Sequence, residues 1–330
     1  MKQEDIQQLL ATLGEAEYEL EETHISWVLL GPQWAYKIKK PLQFDFLDFS
    51  TLEQRQYYCQ REIELNNRLS EGIYQQVLPV RHHEGNFHLG EQGVIVDYAV
   101  QMKRMDSAKR MDLQLEAGQV GEKDLYQLAT QLSDFHQRAA PIRQPISVEQ
   151  QFADFADLRS ARSVLEELHG KAAGQRLEES VQQAKRFLPQ HAERMKARQA
   201  AGFVVDGHGD LHSRNIFLLD PPVIFDCIEF NDKLRHIDIL DELAFLSMDL
   251  QYHGQPQLET ALLQAYRQRH EVFHTPEDWQ LFCYYKWYRA NVRLKVNLLR
   301  AEEEAAVDAG LKELIRRFWE LYGQLGEGLA

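Results

Sequence analysis

In the second half of the chain, two short apolar runs, I-F-L-L at 216–219 and V-I-F at 223–225, are split by D-P-P. Proline fixes φ and lacks an N–H, so the break reads as a turn and the runs as arms of a β-hairpin. The hairpin constrains the fold because it gathers the polar residues at its open end. Asn215 precedes the first arm and Asp226 follows the second. Though distant in sequence, the two should be neighbours in space. An amide oxygen beside a carboxylate is a hard-oxygen pair that suits Mg2+. Asp210 lies on the loop entering the hairpin, where a base would orient a substrate hydroxyl towards a phosphate held by that metal.

The surroundings of the hairpin divide the chain. Residues 2–13 predict an amphipathic helix, with Ile6, Leu9, Leu10 and Leu13 on one face. Strands follow at 25–31 and 35–40, joined by the turn G-P-Q-W. Ser50 and Glu53 have the spacing of a capping box, opening a helix over about 51–69. Two more strands are predicted near 77–80 and 93–102, with a His/Gly/Asn turn between them. Beyond this, apolar residues recur at helical spacing over 125–137. Two or three helices are expected over 148–200, and others over 235–252, 256–270 and 277–325. The pattern predicts an α+β chain: a small β-rich lobe over 1–103, and a larger helical lobe over 104–330 with a helical insertion at about 148–200.

A net charge of −14 repels a polyanion, so nucleic acid is not the expected partner. No apolar run approaches the length of a membrane span, and the first residues lack the pattern of a signal peptide. Three cysteines, Cys59, Cys227 and Cys283, have neither disulfide-framework nor zinc-ribbon spacing. The expectation is a cytoplasmic protein without a membrane partner.

The segment His208-Gly209-Asp210-Leu211-His212-x-x-Asn215, followed by Asp226-Cys227-Ile228-Glu229, resembles the aminoglycoside-phosphotransferase-like small-molecule kinases. That group includes choline and homoserine kinases and shares the bilobal protein-kinase fold. The resemblance implies ATP and Mg2+ as cofactors, Asp210 as catalytic base, and Asn215 and Asp226 as metal ligands. Ala35-Tyr36-Lys37 matches the A-x-K of the family's third strand, so Lys37 would contact the nucleotide phosphates and Glu62 would hold it. Lys39 competes with Lys37, being two residues further along the same strand face. His208 is expected to be a buried histidine that orients the loop, rather than one of a zinc pair with His212. A helix ending at Phe135-His136 and a long insertion before His208 imply a small acceptor. In R-H-I-D-I-L-D-E-L-A, at 235–244, either Asp238 or Asp241 would brace the loop, with Asp238 preferred. The chain departs from the family in having T-H-I-S at 23–26 where a glycine-rich phosphate cover would lie. It also contains no G-x-x-x-x-G-K-[ST], the P-loop to which some bacterial members are fused.

On the predicted helix over 284–300, Tyr285, Arg289 and Arg293 share a face. The helix could pack with its arginines paired to carboxylates at the core edge. Alternatively, the three residues could wall the acceptor site, which would favour an anionic or electron-rich substrate. The function expected is transfer of the ATP γ-phosphate to a hydroxyl of a small molecule. Three rivals share the fold. They are a protein kinase, although no A-P-E follows Asp226, a nucleotidyltransferase, and a non-catalytic nucleotide-binding module.

Overall fold

The N-terminal residues build a six-stranded antiparallel sheet in the computed structural model, which describes residues 1–14, 18–44, 47–304 and 306–329. In chain order the elements are α1 (Gln3–Leu13), β1 (Glu19–Glu22), β2 (Ser26–Leu30), β3 (Trp34–Lys39), β4 (Gln43–Phe44), β5 (Leu47–Asp48), α2 (Leu52–Asn66), β6 (Tyr74–His83), β7 (Asn86–Leu89) and β8 (Val94–Lys103). The sheet order β1-β2-β3-β8-β6-β7 makes β3 an inner strand. Side chains alternate across a strand, so β3 serves both faces of the sheet. Tyr36 and Ile38 pack with Ile6, Leu9 and Leu10 of α1. Ala35 packs on the opposite face, with Cys59 of α2 and Val100 of β8. The same alternation sends Lys37 and Lys39 to the α2 side.

Local details differ from the sequence reading, among them the short strands β4 and β5, which were not expected. The capping box of α2 falls one residue later, between Thr51 and Gln54, where each side chain bonds the other's backbone N–H. Strand β1 was not expected, because E-L-E-E lacks apolar alternation. It is an edge strand with little to bury. Strand β7 occupies residues assigned to a turn. Glu84 and Gly85 alone make that turn, at φ 48° and 82°, the left-handed conformation of a tight hairpin.

Beyond β8 the α-helices are Met111–Glu116, Glu122–Arg138, Val148–Ala156, Arg162–His169, Lys171–Ala200, Ile239–Tyr252, Pro256–Arg269, Pro276–Glu303 and Ala309–Glu327 among the described residues. Leu125, Leu128, Leu132 and Phe135 are buried, as their spacing predicts. The helix expected from 235 starts instead at Ile239. Residues His236–Asp238 form a strand paired with Val204–Asp206, and the Asp238 side chain caps the helix by accepting the Leu240 N–H at 2.8 Å. No described helix is long and apolar enough to cross a membrane.

Packing divides the chain into two compact units. One takes Met1–Gln119 together with His208–Asp210 and Arg214–Arg235. The other takes Val120–Gly207, Leu211–Ser213 and His236–Ala330. The sequence places a boundary at 103 and the hairpin in the helical lobe, whereas packing carries the first unit on to Gln119 and includes the hairpin. Within the first unit, Phe217 bridges Arg110, and the Leu218 N–H donates to the Lys109 carbonyl at 2.8 Å.

Candidate active site

The hairpin is shorter than its apolar runs suggest. Ile216–Phe217 pairs with Val223–Ile224, and the Leu218 N–H turns away to Lys109. Its open end is as expected: the Phe225 N–H donates to the Asn215 carbonyl at 3.0 Å, which sets Asn215 beside the residue preceding Asp226. The Asn215 amide nitrogen donates to the Asp210 carbonyl at 3.0 Å and to its Oδ2 at 3.1 Å. One side chain therefore fixes the carboxylate of Asp210 and leaves its own amide oxygen for another partner.

His208 is fully buried, with Nε2 2.9 Å from the Phe225 carbonyl, while its Nδ1 accepts the Asp210 N–H at 3.2 Å. These two contacts together assign the ring proton to Nε2. Gly209 has φ 88°, and a Cβ there would lie 2.7 Å from the Leu234 carbonyl oxygen, so the turn requires glycine. Asp226 also lies in the left-handed region, at φ 61°. Its N–H donates to the Tyr74 hydroxyl at 3.2 Å, and the next N–H, of Cys227, donates to Asn66 Oδ1 at 2.9 Å.

A chain of alternating charges meets this segment. Lys37 Nζ donates to Asp226 Oδ1 at 2.6 Å and to Glu62 Oε1 at 2.8 Å. Lys39 Nζ donates to Glu62 Oε2 at 2.6 Å and also to Glu229 Oε1. The two lysines are therefore not alternatives for one acid: Glu62 receives both. Burial would push the Glu62 carboxyl up, but the paired ammonium groups hold it down at about 2. Burial also disfavours the Lys37 ammonium, yet Asp226 and Glu62 outweigh it and raise its pKa well above the usual lysine value. Burial raises Glu229, and the nearby Glu62 charge adds to that, against the pull of Lys39. Of the five groups only Asp226 is substantially open, with its side chain 43% exposed.

Among the described residues, no three His, Cys, Asp or Glu side chains gather as a group able to hold a metal. Asn215 and Asp226 instead offer an amide oxygen and an exposed carboxylate whose second oxygen takes no hydrogen bond among those residues. That donor set fits Mg2+, which takes one or two carboxylates and completes its shell with phosphate oxygens and water.

The second unit buries both acids considered for bracing the loop, and a third, Asp249. Asp238 accepts two bonds from Arg198, at 2.7 and 2.8 Å, besides capping its helix, and Asp241 pairs with Arg289 at 2.6 and 2.9 Å. Asp249 holds loop backbone, accepting the Ser213 N–H at 2.7 Å. It is buried inside Ile239–Tyr252, outside the D-L-A-like segment, so nothing in the motif marked it. Glu242 lies against Gly207, where a Cβ would come within 2.6 Å of its Oε2. That same oxygen is 2.7 Å from His136 Nε2, so the histidine helix reaches the start of the loop through Glu242.

Tyr285 and Arg289 are buried, and Arg289 also stacks 4.8 Å over the Phe245 ring. These two follow the packed-helix reading. Arg293 differs: its Nη1 is 3.5 Å from His212 Nε2, and its buried Nε has no hydrogen-bond partner among the described residues.

A sheet-bearing unit with a Lys–Glu pair, an Asp–Asn loop and an exposed Asp after a hairpin, joined to a helical unit, defines the bilobal α+β class of protein-kinase-like folds. Comparison with known proteins agrees. The profile of the phosphotransferase enzyme family (APH) matches residues 83–280. An uncharacterised protein of Mycobacterium tuberculosis is 35% identical over 300 residues, which cover 88% of this chain and 57% of that protein. The chain belongs to the phosphotransferase enzyme family, and it spans somewhat over half the length of the curated relatives it matches. Among solved structures, the GDP complex of a mutant aminoglycoside 2′-phosphotransferase-IIIa aligns with TM-score 0.57 at 12% identity, covering 99% of this chain and 98% of that one. Choline kinase from Cryptosporidium parvum Iowa II aligns with TM-score 0.56 at 12% identity, covering 97% and 92%. At such identities the likeness is one of fold.

Proposed function

We propose that the chain is a Mg2+-dependent phosphotransferase that moves the γ-phosphate of ATP to a hydroxyl of a small molecule. The observation that carries this reading is the Lys37 ammonium, held between buried Glu62 and exposed Asp226. A lysine fixed by one acid and facing another at the edge of solvent is poised to meet a phosphate. Lys37 binds the α- and β-phosphates, with Glu62 keeping it there. Asn215 and Asp226 hold Mg2+, which when bound neutralises phosphate charge. Asp210, fixed by Asn215, orients the acceptor hydroxyl and takes its proton. The acceptor oxygen bonds to the γ-phosphorus as the bond to the β–γ bridging oxygen breaks, and ADP leaves. Most of the rate enhancement is positioning and charge neutralisation. The insertion over 148–200 supports a small acceptor over a protein. The β1–β2 connection, closed by Thr23 Oγ1 on the Ser26 N–H and carbonyl, carries no glycine-rich run.

The test separates binding from chemistry by melting curves with ATP or GTP, with and without Mg2+. A nucleotide at 100 times its Kd stabilises by about 2.7 kcal/mol. Wild type and Asp210→Asn should show the Mg2+-dependent rise, and Asp226→Asn should lose most of it. Mass spectrometry of products from a metabolite screen should show gain of phosphate. Gain of a nucleotide would replace this reading with nucleotidyl transfer, and a wild type indifferent to both nucleotides would overturn it.

A further inference from the structure

Lys39 is an odd residue to bury. Its side chain is 0% exposed and touches two carboxylates, those of Glu62 and Glu229, themselves 0% and 4% exposed. A buried ion pair gains little stability over well-packed apolar residues of similar volume, so stability alone does not account for it. Its geometry suggests another use. Strand β3 carries Lys37 and Lys39, and the segment after the hairpin carries Asp226 and Glu229, so two ties join the same two pieces of backbone. Glu62 on α2 sits between them with one oxygen on each lysine. The first tie joins the two groups that a metal–nucleotide complex would claim, the Lys37 ammonium and the Asp226 carboxylate. The second contains no such group.

We infer that Lys39 and Glu229 form a positioning pair that keeps Glu62 and the 226–229 segment in place when Lys37 and Asp226 part to take up Mg2+ and nucleotide. Lys39 has a second effect. By occupying one oxygen of Glu62 it loosens that acid's hold on Lys37, leaving the Lys37 ammonium able to serve a phosphate. Without Lys39, Glu62 closes on Lys37 alone. This inference rests on the phosphotransferase reading above.

The experiment is calorimetric titration of the full chain with a non-hydrolysable ATP analogue over a series of MgCl2 concentrations, alongside melting curves. The double variant Lys39→Met/Glu229→Met replaces the pair with apolar groups and should melt near wild type. It should nonetheless bind the analogue about tenfold more weakly and need more Mg2+ for half-maximal binding. A double variant that melts like wild type and binds like wild type would reduce the pair to packing and sink the inference. Should the double variant fail to fold, Glu229→Gln keeps the side-chain shape and a hydrogen-bond acceptor. It should weaken binding about threefold, and unchanged affinity there is equally fatal. A wild type that binds no analogue at any Mg2+ concentration brings down the phosphotransferase reading and this inference with it. Failure confined to the variants leaves that reading standing.

Discussion

Each unit of the molecule buries an ionic network, and the two end differently. In the helical unit, Asp278 accepts from Arg194 at 2.8 and 2.7 Å, from Arg198 at 2.9 Å, and from the backbone N–H groups of His274 and Thr275 at 2.7 and 2.9 Å. Arg198 completes the set with Asp238 and the Val272 carbonyl. That network closes on itself, and Asp278 is fully buried. In the sheet-bearing unit the chain of charges runs from Glu229 through Lys39, Glu62 and Lys37 to an aspartate that is nearly half exposed. A closed network has nothing left to offer a ligand, whereas an open one ends in a group waiting for a partner. Burial of charge alone does not separate structure from function; the exposure of the last member does.

Breaking the closed network should give the largest change in stability. Arg198→Met leaves buried Asp238 without its cation and Asp278 with Arg194 alone, and should lower the unfolding free energy by about 3–5 kcal/mol in urea titrations. The nucleotide-linked rise in melting temperature should persist in whatever fraction remains folded. Lys37→Met should do the reverse. Glu62 keeps Lys39 as a partner, so stability should fall by only about 1–3 kcal/mol, while the nucleotide-linked rise disappears. If the two variants exchanged these signatures, the distinction between open and closed networks would fail.

Acid should remove one low-titrating carboxylate from each network, while Glu229, raised by burial, opposes the loss in the sheet-bearing unit. Burial would raise Asp278, but the bonds from Arg194, backbone N–H groups and Arg198 hold it below the ordinary aspartate value. Glu62 is held down at about 2. A carboxyl with a lowered folded pKa contributes stability in full above its unfolded value, about 4 for these acids, and loses it as pH falls through the folded value. Urea midpoints should therefore drop between about pH 4 and pH 2, and Arg198→Met should show a shallower drop. The smallest effect is expected at Arg293. Its replacement by alanine should change stability by about 1 kcal/mol or less. If this residue faces the acceptor, the KM of an anionic acceptor, once one is found, should rise.

What the sequence disclosed follows from the range of each interaction. The open end of the hairpin was legible because D-P-P fixes a turn, and a turn fixes which residues face each other. Lys37 and Glu62 were legible through a motif, and strand period alone placed Lys39 on the same face. That Glu62 would serve both lysines was not legible, because it depends on how α2 lies over β3. Glu229 stood in plain view three residues after Asp226, but no local rule gives a glutamate there a lysine. The Ser213 contact was illegible for the same reason: Asp238, Asp241 and Asp249 lie close together along one stretch of chain, and only tertiary packing decides which of them meets Ser213. Strands β1 and β7 escaped notice because one is nearly all acidic and the other begins straight after a two-residue turn.

The left-handed backbone at Asp226 decides which residues the position will tolerate before any chemistry is asked of it. Such a conformation costs an ordinary L-residue about 1–2 kcal/mol, less for asparagine and aspartate, and glycine almost nothing. Asp226→Asn is thus the substitution that isolates charge, whereas Asp226→Ala adds a backbone penalty to the chemical one. A library randomised at this codon and sorted only for folding should drift towards glycine and asparagine. The same library sorted for Mg2+-dependent nucleotide binding should return to aspartate, and the gap between the two outcomes would measure how far selection here runs against the preference of the backbone.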